Sequence, residues 1–176
     1  MLNHMNQLEE VTHTLEPIFD CESEILILGT FPSVKSREGN FYYHNPKNRF
    51  WHVLAEVFSE KTPETILEKE DFLHRNHIAI WDVVKSCQIK GSDDSSISNV
   101  IPNDFAVVLN DSNITKIYGN GGKAADLYEK YCHEQTGIKI EKLPSTSPAN
   151  AAYSLKSLLE AWEIIKKYLN LNFFGY

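Results

Sequence analysis

Between Gly29 and Trp51 the chain gathers residue types suited to holding a planar, phosphate-bearing ligand. Phe41, Tyr42 and Tyr43 are consecutive aromatics, and Asn45 and Asn48 add amides that both donate and accept hydrogen bonds. Lys35, Arg37, Lys47 and Arg49 stand against Glu38 alone between residues 33 and 52. On a chain of net charge −7, this local positive stretch suits an enzyme that grips a few phosphates. A solvated loop of mixed charge is the alternative. The overall acidity argues against non-specific coating of nucleic acid, which calls for a basic face.

A second segment, Leu143 to Asn150, carries hydroxyls and amides between an apolar run and an amphipathic one. Placed at a helix N-terminus it binds phosphate; Ser147 or Asn150 serving purely as a helix cap is the simpler reading. Gly119-Asn-Gly-Gly-Lys123 imitates a phosphate loop but fails the Walker spacing, and Ala124 follows the lysine where Ser or Thr is required. A tight strand-to-helix turn accounts for it. No GxSxG nucleophile motif occurs. Cys21, Cys87 and Cys132 are far apart and form neither a disulfide framework nor a metal-binding pattern, so no metal and no cofactor are expected. The N-terminal residues have no signal-peptide character and no run is long and apolar enough for a membrane span, so a cytoplasmic, soluble protein is expected.

The elements that must position these residues alternate. Glu24 to Leu28 is a buried strand ending at Gly29, His77 to Val84 a second, Thr115 to Tyr118 a third and Ile138 to Leu143 a fourth. Helices are expected over Gln7 to Phe19, Asn48 to Phe58, Pro63 to Arg75 with Thr62 as cap, Asn103 to Leu109, Lys123 to Glu134 and Ala151 to Leu169. Cys87 to Pro102, rich in Ser, Asp and Asn, reads as a long loop, and the aromatic tail Asn172 to Tyr176 is given no role. This order predicts one α/β domain over residues 1–176, a three-layer α/β/α sandwich with a mostly parallel four-stranded sheet. Ligands bind at the carboxyl edge of such sheets, where Gly29 and Leu143 both end strands.

Taken together, Gly29 to Ser33, Tyr42-Tyr43, Asn45 to Trp51, Trp81 to Val84 and Ser145 to Pro148 resemble, in order, the motifs of the uracil-DNA glycosylase superfamily. The resemblance runs from about Glu24 to Lys167 and is strongest to the hypoxanthine-DNA glycosylase branch. It implies a monofunctional enzyme without metal that flips a deaminated base out of DNA and hydrolyses its N-glycosidic bond; a monomer without a nucleotide cofactor is expected. Tyr43 falls where the family stacks an aromatic on the base, and Phe31, Asn45 and Asp82 fall around it. An ionised Asp82 would accept from hypoxanthine N1–H and repel adenine N1. Ser33 and Lys35, with Ser145, Thr146, Ser147, Pro148, Ala149 and Asn150 of the second motif, fall on the DNA-binding parts, including a wedge for the duplex. Phe31 replaces the Asp or Asn with which many relatives handle the water, and Ser145 replaces a His or Asn of uracil-specific members. Uracil excision is therefore expected to be weak. Asn48, at the head of a helix, is the candidate to position the water, with capping of that helix as its other reading. A catalytically inert damage-binding module, a uracil- or mismatch-directed glycosylase and a nucleoside hydrolase are the alternatives that the same residues leave open.

Overall fold

A computed structural model describes residues 7–169. Its elements in order are β1 (Glu9–Thr12), β2 (Ile25–Gly29), α1 (Val34–Gly39), α2 (Phe50–Val57), α3 (Ile66–Arg75), β3 (Ile78–Asp82), β4 (Val84–Lys90), β5 (Asp93–Pro102), α4 (Ala106–Leu109), β6 (Lys116–Asn120), α5 (Gly122–Tyr131), α6 (His133–Thr136), β7 (Ile140–Leu143) and α7 (Leu155–Trp162). A 3₁₀ segment, Glu163–Tyr168, continues α7.

The four expected strands form one parallel sheet in the order β3-β2-β6-β7. Its central strand β2 is buried at every position, which requires cover on both faces. Helix α3 packs on β3 and α5 on β6 and β7, while α2 packs against α7. Phe50 of α2 meets Trp162 of α7 edge to face at 6.0 Å, joining these helices through aromatic contact. In this register Gly29 lies beside Asp82, so two carboxyl ends and their following loops open at the same edge.

Five expectations about local structure are corrected. Gln7 to Phe19 is not a helix: β1 and the extended run after it lie along the body, with Ile18 bridged to Ile80. His13 and Leu15 are buried while Thr12, Thr14 and Glu16 are exposed, a period of two that outweighs the sparser helical spacing. Residues 87–102 are not a loop: β4 and β5 pair antiparallel, and β1 adds to β4 in a second, three-stranded sheet. The α3 cap is Thr65, not Thr62, because Thr65 and Glu68 form a reciprocal capping box. The last helix begins at Leu155, where the Ser154 side chain accepts from Ser157 N–H, so residues 144–154 form a loop rather than its first turn. The helix expected to Glu134 breaks at Cys132, and the tail from Asn172 lies outside the described residues.

Candidate active site

The carboxyl edge of the parallel sheet opens into a cavity of about 680 Å³. Its wall includes Gly29, Thr30 and Phe31 after β2, Tyr43, Asn45 and Asn48 before α2, Asp82 at the end of β3 and Asn120 at the end of β6. Ser33 and Lys35, and Ser145, Ser147, Pro148 and Ala149, complete it from two sides. Thr146 is fully buried behind the wall, and Asn150 borders an adjoining groove. The fold thus brings the base-binding and second-motif candidates of the two main segments together at one edge, while Phe41, Arg37, Lys47 and Arg49 are not part of the cavity wall.

Tyr43 has a left-handed backbone (φ 50), unusual for a large side chain and imposed by the sharp turn before α2. One face of its ring stacks on Phe50 at 3.8 Å and 18°. Only the opposite face remains for a flat ligand. Its hydroxyl is buried without a hydrogen bond of ordinary geometry, though Asn120 lies close enough to favour the ionised form; burial, with Asp82 nearby, still drives its pKa well upward.

Asp82 is 4% exposed, and among the described residues no partner reaches its Oδ2. Burial, reinforced by the negative charge of Asp94, pushes its pKa up to about 8. At neutral pH it is mostly the neutral acid, which corrects the ionised carboxylate inferred from sequence. A neutral acid offers one O–H and one carbonyl oxygen side by side. The close approach depends on Gly29, since a Cβ there would meet Asp82 Oδ1 at 2.5 Å and the Tyr43 hydroxyl at 3.2 Å.

Asn48 has its carbonyl oxygen already committed. Oδ1 accepts from Phe50 N–H at 3.0 Å and from the Thr146 hydroxyl at 2.8 Å, so capping and tethering claim the acceptor that was expected to hold water. The Nδ2 amide is what it can still offer a ligand. Behind it, Asn120 accepts from Thr146 N–H at 3.0 Å and donates to the Thr146 hydroxyl at 2.9 Å. This buried chain locks the ends of β6 and of the second motif to the start of α2. Asn45 is also a turn former, its Oδ1 accepting from Lys47 N–H at 3.1 Å.

The second motif is braced by its own hydroxyls. Ser145 and Ser147 accept from the N–H groups of Ser147 and Ala149, and Asn150 Nδ2 donates to the Ser145 carbonyl at 3.0 Å. Pro148 and Ala149 are left exposed at the rim. Gly121, in the left-handed region at φ 96, allows this loop to approach: a Cβ there would lie 3.1 Å from that of Ser145. Ser33 caps α1 by accepting from Ser36 N–H, which leaves Lys35 exposed on its first turn.

The basic residues divide. Arg49 donates to the Tyr153 and Asn150 carbonyls at 2.6 and 3.1 Å, and Arg37 donates to Gly91 O at 3.1 Å while covering the Phe31 ring at 5.5 Å. Both guanidiniums hold loops. Lys35 and Lys47 remain exposed. Asn120 and the hairpin residues Lys90 to Asp94 also line the wall and escaped the sequence reading. Asn120 was visible as a polar residue between glycines at a strand end, whereas Asp94 could not be placed without recognising the β4–β5 hairpin. Among the described residues, no group of three or more His, Cys, Asp or Glu side chains could hold a metal ion, and no helix is long and apolar enough to cross a membrane.

A parallel sheet whose carboxyl edge ends in an aromatic, amide and acid-lined cavity, flanked by a braced Ser/Pro loop, suits the capture of a flat polar ligand. Residues 16–167 match the family model of the Uracil DNA glycosylase superfamily, and the chain belongs to that superfamily of DNA glycosylases. Two curated relatives are named hypoxanthine DNA glycosylase. The one from Methanosarcina acetivorans is 34% identical over 149 residues, 84% of this chain and 93% of the relative. The one from Methanosarcina barkeri is 32% identical over 147 residues, 83% and 92% respectively. A solution NMR structure from Methanosarcina acetivorans, provisionally described as a uracil DNA glycosylase, superposes with a TM-score of 0.73 at 31% identity, covering 88% of this chain and 98% of that one.

Proposed function

We propose that the enzyme removes hypoxanthine from DNA. The observation that carries this reading is the buried, unpartnered Asp82 carboxyl in the cavity wall, in a chain similar to two hypoxanthine DNA glycosylases. The extruded base stacks on the open face of Tyr43, with Phe31 on the same wall, a contact worth about 1 to 3 kcal/mol. The neutral Asp82 accepts from N1–H and donates to O6, two bonds that relieve its own unsatisfied burial. Asn48 Nδ2 donates to the departing base, whose negative charge grows as the glycosidic bond lengthens in an oxocarbenium-like transition state. Asn45 holds the turn that presents Tyr43 and Asn48. Lys35, with the loop from Ser145 to Asn150, meets the DNA backbone, and Pro148 and Ala149 form the wedge that fills the space left by the flipped nucleotide.

Duplex oligonucleotides carrying one deoxyinosine, deoxyuridine, deoxyxanthosine or ethenoadenine site provide the test. Hypoxanthine is expected to be released faster than uracil under single-turnover conditions. Uracil release as fast as hypoxanthine release would reject this assignment, and release from free inosine but not from DNA would reject DNA as substrate.

A further inference from the structure

We propose that Asp94, brought to the cavity by the β4–β5 hairpin, is the carboxylate that takes the proton of the attacking water. This deepens the hypoxanthine-excision reading and rests on it. The need arises inside the cavity. Phe31 has no proton acceptor, the carbonyl of Asn48 is committed to two donors, and Asp82 is mostly protonated at neutral pH. Of the other carboxylates at the cavity, Asp93 is exposed and its Oδ1 accepts from the Ser95 hydroxyl at 2.6 Å and N–H at 3.0 Å, which lowers its pKa and makes it a weaker base, and Glu38 lies exposed on α1.

Asp94 is half-buried and borders both the cavity and the adjoining groove under the second motif. The hairpin that carries it is latched over the entrance: Val34 N–H donates to Ser92 Oγ at 2.9 Å, and Arg37 joins Gly91 to Phe31. Gly91 supplies the left-handed turn at the tip (φ 52), and bulges along β4 and β5 re-aim the side chains. The Thr30 hydroxyl, next to the Phe31 position that lacks an acid, lies close enough to the Asp94 carboxyl to favour its ionised form, though without a hydrogen bond of ordinary geometry. The same cavity holds the unpartnered carboxyl of Asp82, more than nine-tenths buried, which marks it as a place for a polar ligand.

Charged and titratable groups face Asp94 from several elements: Asp93 beside it on β5, Lys123 on α5, Asp82 at the end of β3, Tyr43 before α2 and Cys87 on β4. Burial raises its pKa most; the Thr30 hydroxyl opposes this, Asp93 adds to it and Lys123 opposes it, leaving it at about 6. At neutral pH Asp94 is therefore an ionised base of moderate strength, as proton abstraction from water requires. In the step, the water oxygen bonds to C1′ as the C1′–N9 bond breaks. The electron pair of that bond leaves on the base. The water's proton passes to the Asp94 carboxylate and then to solvent, and the base takes a proton from solvent. One water is consumed, and no oxidant, reductant or further reactant is involved.

The test is the single-turnover rate of hypoxanthine release from a deoxyinosine duplex between pH 5 and 9, with binding measured separately to an uncleavable analogue duplex. Wild-type rate is expected to rise with pH through about 6, reach a plateau, and fall again above about 8, where Asp82 ionises and loses the O–H it gives the base. Asp94→Asn, which keeps an oxygen toward Thr30, should lower the plateau at least about 100-fold and remove the acidic limb. Its duplex binding should be equal or tighter, since a negative charge near phosphates is gone. Thr30→Val, which removes the group favouring the Asp94 anion, should move the limb to higher pH. An Asp94→Asn enzyme as fast as wild type overturns the proposal alone, as does a slow variant that keeps its limb, or an unmoved limb in Thr30→Val. No hypoxanthine release by the wild type overturns the functional reading and this one with it.

Discussion

The two sheets of this enzyme divide stability and chemistry unequally. The parallel sheet is built from apolar runs: β2 and β3 are buried at every position, and Ile25 to Leu28 are wholly enclosed. The antiparallel sheet is polar and half open, with bulges that interrupt its register and a strand, β5, that has no fully buried residue. Yet both end at the same cavity, one through Asp82 and the other through Asp94. A continuous apolar strand can fix where a cavity lies, but it has few positions from which to aim a solvated charge. A bulged hairpin packed over the entrance can place one without disturbing the core.

The largest expected effect separates the two sheets by stability. Ile27→Ala removes a fully buried side chain from the central strand and should cost about 2 to 5 kcal/mol in denaturant unfolding. Base release by the fraction still folded should hardly change. Ser92→Ala unlatches the hairpin tip from Val34 and should cost only about 0.5 to 1.5 kcal/mol, the value of one hydrogen bond, while slowing base release several-fold. Equal losses of stability in the two variants would erase the distinction.

Next in size is a pH effect carried by Asp82. Its pKa stands at 3.8 in the unfolded chain and about 8 in the folded one, so the folded state keeps a proton that the unfolded state releases. That contribution is full below about pH 4 and is lost as pH rises through 8. Asp94 is half ionised at pH 6 and adds only a small part of the change above it, while the loss from Asp82 between pH 6 and 8 amounts to about 2 kcal/mol. Asp82→Asn should flatten this decline, so its melting temperature gains on wild type as pH rises, while hypoxanthine release falls sharply. Parallel melting curves across that window would mean that water reaches the carboxyl and leaves it ionised.

The legibility of the molecule follows the same division. The apolar runs at Ile25, Ile78 and Ile117 revealed the body of the parallel sheet because full burial demands a continuous apolar sequence, whereas the edge strand β7, Ile140–Leu143, buries only Leu143. The first-motif residues were legible because their types are unusual together, and Asp82 because it ends such a strand. The hairpin was not, since its burial alternates irregularly across bulges and its Ser and Asp composition is equally that of a loop. Nor could sequence show that Asn48's carbonyl is claimed by Thr146, a residue 98 positions away. Such pairings depend on where loops from different strands meet.

The smallest expected effect concerns the cations around the cavity, and it sharpens the contrast between holding the fold and holding the ligand. Charge alone suggested that Lys35, Arg37, Lys47 and Arg49 are equivalent contacts to phosphate. The geometry splits them: Arg37 and Arg49 donate to carbonyls of the hairpin and the second motif, and Lys35 and Lys47 are exposed. Each phosphate neutralised releases counterions and adds about 0.9 to the slope of log affinity against log salt. Lys35→Ala and Lys47→Ala should therefore each reduce the slope for a deoxyinosine duplex by roughly one unit. Arg37→Ala and Arg49→Ala should leave the slope nearly intact while lowering the melting temperature and slowing base release, because the loops they pin would loosen. Salt titrations by fluorescence anisotropy read the two classes directly. If the arginine variants lose slope as the lysine variants do, the guanidiniums leave their carbonyl partners when DNA binds, and the braces seen here belong to the free enzyme alone.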